Sequence, residues 1–293
     1  WSGCGTALVT PFTADGAVDE PAVQRLAARQ IDAGVHFLVP CGTTGEGPTL
    51  SRAEQQRVVE LVVQTAAGRI PVLAGAGGND TRGVIEQVAD MRRAGADGIL
   101  SVTPYYNKPT PEGLYQHYRA IAESTPLPIV VYNVPGRTGC NVDVGTLCRL
   151  ADISNIVGVK EASAQMPQMC EICRAVPTGF AVLSGDDLFT LPLLSFGGAG
   201  VISVVSNEVP AQMSRLVSVA LSGDYDTARE LHTRLLPLML VNFIEANPIP
   251  VKAAMAHLGL LEPHYRLPMV PPQPDSLAQI VQVLDELEHH CDR

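Results

Sequence analysis

Of the 20 basic residues in this chain only three are lysines, Lys108, Lys160 and Lys252. Lys160 directly follows the apolar run Ile156-Val-Gly-Val159. Burial in such a run strips hydration from an ammonium and favours the neutral amine, a nucleophile suited to Schiff-base chemistry. The competing reading is a lysine at a strand end whose stem is buried while its head snorkels to water. Gly42-Thr-Thr-Gly45 offers successive backbone N–H groups and two hydroxyls in one turn, a cradle suited to a small carboxylate or an ordinary glycine-capped loop. Tyr132, just before the turn Asn133-Val-Pro-Gly-Arg-Thr138, is either half-buried packing or a proton relay. Asp186 and Asp187, with Glu46, could hold a divalent cation, but no histidine joins them and plain capping is the favoured reading. Cys170 and Cys173 form a lone CxxC without a second pair, so neither metal nor redox use is assigned to them.

Residues of this kind need elements that bring them to one place. Apolar, β-branched runs recur at Thr6–Thr10, Val35–Val39, Pro71–Ala74, Ile99–Val102, Ile129–Tyr132, Val157–Val159, Ala181–Leu183 and Val201–Val205. Nearly all are continuous rather than alternating, the pattern of parallel strands covered on both faces. Amphipathic helical stretches alternate with them at Glu20–Ala33, Arg52–Ala67, Thr81–Ala94 and Glu112–Ser124. Eight such units predict an α/β fold, a (β/α)8 TIM barrel over residues 1–208, followed by a C-terminal helical region over residues 209–293 with helices at Pro210–Ser222, Tyr225–Phe243, Ile249–Leu258 and beyond Ser276. A doubly wound open sheet is the alternative. Against it, Gly75-Ala-Gly-Gly78 is too short for a dinucleotide fingerprint and reads as a turn. In a barrel the polar residues just past the strands share one face, which is where catalytic groups assemble.

Composition narrows the function. The chain of 293 residues is 46% hydrophobic and 17% charged, enough to bury a sizeable core. Its net charge of −10 repels nucleic acid and anionic lipid. The most apolar stretch, Leu235–Ile244, is interrupted by Pro237 and Asn242, so no membrane span is expected. Seven thinly spread cysteines and no visible secretory signal lead to an expected cytoplasmic setting with reduced thiols.

Taken together, Gly42-Thr-Thr-Gly-Glu46, Thr103-Pro-Tyr-Tyr106, Tyr132-Asn-Val-Pro-Gly-Arg-Thr138, Gly158-Val-Lys-Glu-Ala162, Ser184-Gly-Asp-Asp187, Gly200-Val-Ile-Ser203 and Asn247-Pro-Ile-Pro-Val-Lys252 resemble the dihydrodipicolinate synthase family, with a match from about Gly3 to Pro271. The resemblance implies that Lys160 forms an imine with pyruvate, whose enamine attacks L-aspartate 4-semialdehyde to give 4-hydroxy-tetrahydrodipicolinate, a step of lysine and diaminopimelate biosynthesis. It further implies a proton relay of Tyr132, Thr43 and Tyr106, the last reaching into a neighbouring subunit of a homotetramer built as a dimer of dimers. Thr43 and Thr44 match the binders of the pyruvyl carboxylate, Arg137 the binder of the semialdehyde carboxylate, and Gly185 and Ile202 positions whose backbone lines the site. No cofactor and no metal are implied. The nearest alternative is another pyruvate-dependent aldolase, a sialic acid lyase or keto-deoxy sugar-acid aldolase, which has less need of Arg137's cation. A non-catalytic barrel would be expected to lack one of Lys160, Tyr132 and Thr43. Feedback inhibition by L-lysine is expected to be weak or absent: Asn79 and Tyr105 match the family's effector cleft, but Gly83 stands where sensitive relatives have glutamate and Arg52 where they have histidine.

Overall fold

The computed structural model describes residues 1–291, with side chains described through Leu287. Along the chain β1 (Gly3–Ala7), α1 (Glu20–Asp32), β2 (Phe37–Val39), α2 (Arg52–Ala66), β3 (Leu73–Gly75), α3 (Thr81–Arg93), β4 (Gly98–Val102) and α4 (Pro111–Glu123) alternate regularly. The alternation continues through β5 (Ile129–Asn133), α5 (Pro135–Thr138), α6 (Val144–Ala151), β6 (Ile156–Glu161), α7 (Met166–Ala175), β7 (Ala181–Ser184), α8 (Thr190–Ser195) and β8 (Gly200–Ser203). Four helices follow: α9 (Pro210–Leu221), α10 (Tyr225–Val241), α11 (Ile249–His257) and α12 (Pro274–Cys291).

The strands pair in parallel in the order β2-β1-β8-β7-β6-β5-β4-β3. A parallel bridge between Leu38 and Val72 and a hydrogen bond from Leu38 N to Pro71 O join β2 to β3 and close the ring. The predicted (β/α)8 barrel is thus the observed one. Ala7, Phe37, Leu73, Leu100, Val130 and Leu183 fill its interior as a packed core rather than a pore.

The first strand lies nearer the N-terminus than its β-branched run suggested, at Gly3–Ala7 rather than Thr6–Thr10. The cause is packing. A Cβ on Gly5 would fall 2.1 Å from the Phe37 ring, so a strand that must admit this bulky interior residue is built from glycine and carries little hydrophobic signal. Residues after Ala7 instead leave the sheet, where the Asn207 side chain ties them to the exit of β8 by accepting from Val9 N and donating to Ala7 O.

α9 packs on β1 and β8. α10, α11 and α12 share a core with it through Leu216, Leu235, Met239, Ala254 and Ile280. Val251 and Met255 of α11 meet Val9, Leu26 and Val204, which docks this helix beside the exits of β1 and β8. Among the described residues no helix is long and apolar enough to cross a membrane. The six cysteines with described side chains are unpaired, and Cys291 lies outside the described side chains.

Candidate active site

Tyr132 and Lys160 stand at the carboxyl ends of β5 and β6 and are register partners. Registered residues of parallel strands point to the same face, so both side chains enter the barrel together. Lys160 is 5% exposed, and its Nζ lies 4.2 Å from the centroid of the Tyr132 ring. Gly185 makes room for this lysine: a Cβ there would come within 2.7 Å of Ala162 Cβ and 3.1 Å of Lys160 Cγ. Ile202 is buried in the same interior cluster as Tyr132. Asp186 is pushed above the ordinary carboxylate range by burial, while the nearby charge of Lys160 pulls it back.

The Thr43–Thr44 turn follows β2. Its backbone is tightly wound: Gly47 N donates to Gly42 O and Glu46 N to Thr43 O, and both Cys41 and Glu46 take positive φ. Thr44 is buried, and its hydroxyl oxygen accepts from Asn247 Nδ2 at 2.9 Å. An amide N–H offers no acceptor, so the Thr44 proton is left to donate to an incoming anion. Thr43 and Tyr132 together line a cavity of about 270 Å³ whose walls include Gly77, Val102 and Tyr105.

Arg137 sits on α5, a single turn between Asn133 and the segment that the Asn133 side chain holds. The Asn133 Oδ1 accepts from Val142 N, and its Nδ2 donates to Glu161 Oε2 and Asn141 Oδ1, each at 2.9 to 3.0 Å. Burial raises Glu161 above the usual carboxylate range, against the hydrogen bonds from Ser163 and Asn133. Arg137 itself is exposed, donates to Asn247 O at 3.4 Å and makes no ion pair among the described residues, so its fork is available to a carboxylate.

Lys160, Tyr132, Gly185 and Ile202 therefore meet inside the barrel, and Thr43, Thr44 and Arg137 border the same mouth. Tyr106 does not join them. It is 90% exposed, whereas its neighbour Tyr105 lines the cavity. The three acids weighed as metal ligands are otherwise engaged. Glu46 pairs with Lys252 at 2.6 Å, Asp187 Oδ2 accepts from Val204 N and Val205 N, and Asp186 caps the turn after β7 through Leu188 N. Burial lifts Asp187 to about 6. Asn247 and Lys252 are site residues whose individual roles the sequence reading missed, although both fall in the string Asn247-Pro-Ile-Pro-Val-Lys252. Their partners lie about 200 positions away, so no local pattern announces them.

Comparison with known proteins gives the family. The sequence matches the Dihydrodipicolinate synthetase family over residues 1–287. It is 51% identical over 285 residues to a 4-hydroxy-tetrahydrodipicolinate synthase of Koribacter versatilis, covering 97% of this chain and 95% of that one. The crystal structure of dihydrodipicolinate synthase from Thermotoga maritima superposes with a TM-score of 0.97 at 46% identity, covering 98% of this chain and 99% of that one. A chloride-inhibited dihydrodipicolinate synthase from Acinetobacter baumannii, complexed with pyruvate, superposes with a TM-score of 0.96 at 42% identity, covering 98% and 99%. With its barrel, its buried lysine and its matching sequence, the chain belongs to the dihydrodipicolinate synthetase family.

Proposed function

We propose that the protein condenses pyruvate with L-aspartate 4-semialdehyde through an imine on Lys160 and releases 4-hydroxy-tetrahydrodipicolinate. The observation that carries this reading is Lys160 itself, buried against Tyr132 at a strand end and free of any ion pair among the described residues. Its neutral amine attacks the pyruvate keto carbon, and loss of water leaves a protonated imine that withdraws electrons from the methyl group. Tyr132 gives its proton to the departing water and, as tyrosinate, takes one from that methyl carbon; the enamine attacks the aldehyde carbon, whose oxygen recovers the proton, and the semialdehyde amino group then attacks the imine carbon, closing the ring and expelling the Lys160 amine. Thr43 and Thr44 hold the pyruvyl carboxylate, Arg137 holds that of the semialdehyde, and the backbone at Gly185 and Ile202 lines the pocket. The test is a coupled assay with pyruvate and aspartate semialdehyde run beside sugar acids. Faster cleavage of sugar acids than condensation of semialdehyde would replace this reading by that of a sugar-acid aldolase.

The exposed Tyr106 supports an assembly in which it completes the relay of a neighbouring subunit, as in a homotetramer built as a dimer of dimers. The reading carries with it a cytoplasmic setting. It also divides the chain into a catalytic barrel of residues 1–208 and a helical region of residues 209–293 that lends Asn247 to the mouth.

Two further results are expected. Arg137→Ala will impair use of the semialdehyde while sparing formation of the pyruvate adduct, because its open fork faces the second substrate. Damage of equal size to both would make Arg137 structural. Inhibition by L-lysine will be weak or absent. Gly83 supplies no carboxylate, Asp80 is committed as the cap of α3 by accepting from Arg82 N and Gly83 N, and Arg52 is neutralised by Asp90 and Glu86. A charge-assisted hydrogen bond missing from the effector's ammonium weakens binding about 10-fold to 100-fold. In a lysine titration at fixed substrate, half-inhibition below about 0.5 mM would overturn this expectation.

A further inference from the structure

Lys252 is the second buried lysine, with an exposure of 0%, and the condensation does not use it. It extends from α11 to the barrel mouth, where its Nζ donates to Glu46 Oε1 at 2.6 Å and to Thr10 O at 3.2 Å. The remaining faces of the ammonium meet aromatic rings, with Phe12 4.4 Å and Tyr265 5.1 Å from Nζ to centroid. Both of its oxygen partners act on the turn that carries Thr43 and Thr44. Thr10 donates its hydroxyl to Gly45 O at 2.6 Å. Glu46 holds a left-handed backbone, φ 52°, which a residue with a side chain keeps only where its surroundings impose it.

Stability alone is a poor explanation for such a pair. Desolvating two charges consumes most of their mutual attraction, and apolar residues of similar size commonly serve as well. What an ion pair adds is direction: a short bond fixes the angle of the turn, where an apolar contact tolerates rotation. We propose that the buried Glu46–Lys252 pair is a positioning device, holding the Thr43–Thr44 turn so that its hydroxyls meet the carboxylate of pyruvate. The proposal rests on the pyruvate-condensing reading above. It assigns the two buried lysines opposite tasks: Lys160, without a carboxylate bonded to it, is the nucleophile, and Lys252, bonded to Glu46, is a strut. Burial draws the Lys252 ammonium below its ordinary range while Glu46 opposes that shift.

The test compares E46Q, K252M, the double variant E46Q/K252M and T10V in the full chain. Melting temperature, kcat, KM for each substrate and borohydride trapping of the pyruvate adduct are measured for each. Either single charge removal strands the other charge and is expected to lower the melting temperature sharply. The double variant is expected to recover the melting temperature and still trap pyruvate on Lys160 at saturation, but with pyruvate KM raised about 10-fold, the worth of one to two lost hydrogen bonds. KM for the semialdehyde is expected to stay within about 2-fold, since Arg137 is untouched. T10V, which removes only the hydroxyl bond to Gly45, is expected to raise pyruvate KM about 3-fold to 5-fold without loss of fold. A folded double variant with wild-type kinetics overturns the proposal, and so does wild-type pyruvate KM in T10V should the double variant fail to fold. Failure of the underlying reading looks different, because the wild-type chain then yields no pyruvate adduct on Lys160.

Discussion

Borohydride added in the presence of pyruvate will inactivate the protein irreversibly and leave a reduced pyruvyl adduct on the peptide that carries Lys160. The expectation rests on a comparison of the three lysines. Lys108 is exposed on the surface, away from the barrel interior. Lys252 is engaged by Glu46 in a 2.6 Å ion pair. Lys160 alone is buried without an ion-pair partner among the described residues and stands at the carboxyl end of a barrel strand. Lys160→Ala removes the electron sink as well as the nucleophile. Turnover should then fall on the order of 10⁴-fold or more, within the span seen when a covalent nucleophile is deleted. Peptide mapping decides the matter: an adduct on Lys108 or Lys252, or none, would sink the imine mechanism.

Tyr132→Phe will lower kcat by roughly 10²-fold or more, the usual cost of losing a positioned acid–base group. The ring is held by burial and by its register with Lys160, so phenylalanine keeps the packing and loses only the hydroxyl. Imine formation should therefore survive in part, while proton removal from the pyruvyl methyl slows. Borohydride trapping and steady-state turnover, measured on the same preparation, separate the two steps. An unchanged kcat would remove Tyr132 from the relay and leave it as a wall of the pocket.

The fold class was legible because it depends on a local property. A strand covered on both faces must be apolar at every position, and eight such runs separated by amphipathic helices leave few arrangements other than a parallel barrel. That inference also placed Lys160, Tyr132 and Thr43 at strand ends, hence on one face, before any distance was known. The same logic failed where packing rather than hydrophobicity chose the residue. β1 carries Gly5 because the Phe37 ring occupies the space of its Cβ, and Gly3 because the His36 ring does the same, so a window that counts apolar side chains passes over it.

Tertiary structure alone decided what the site residues do for one another. Glu46 read as a capping residue and only secondarily as a cation ligand, and its pairing with Lys252 closes a separation of 206 residues. Thr44 became a directed donor only when Asn247, 203 positions away, took its oxygen. Tyr106 adjoins Tyr105 in sequence, yet Tyr106 is 90% exposed while Tyr105, at 42%, lines the cavity. Periodicity records which face of an element is covered, and that much a sequence determines by itself. Which distant side chain does the covering depends on how α11 seats against the ends of β1 and β8, a consequence of the summed packing of the whole chain.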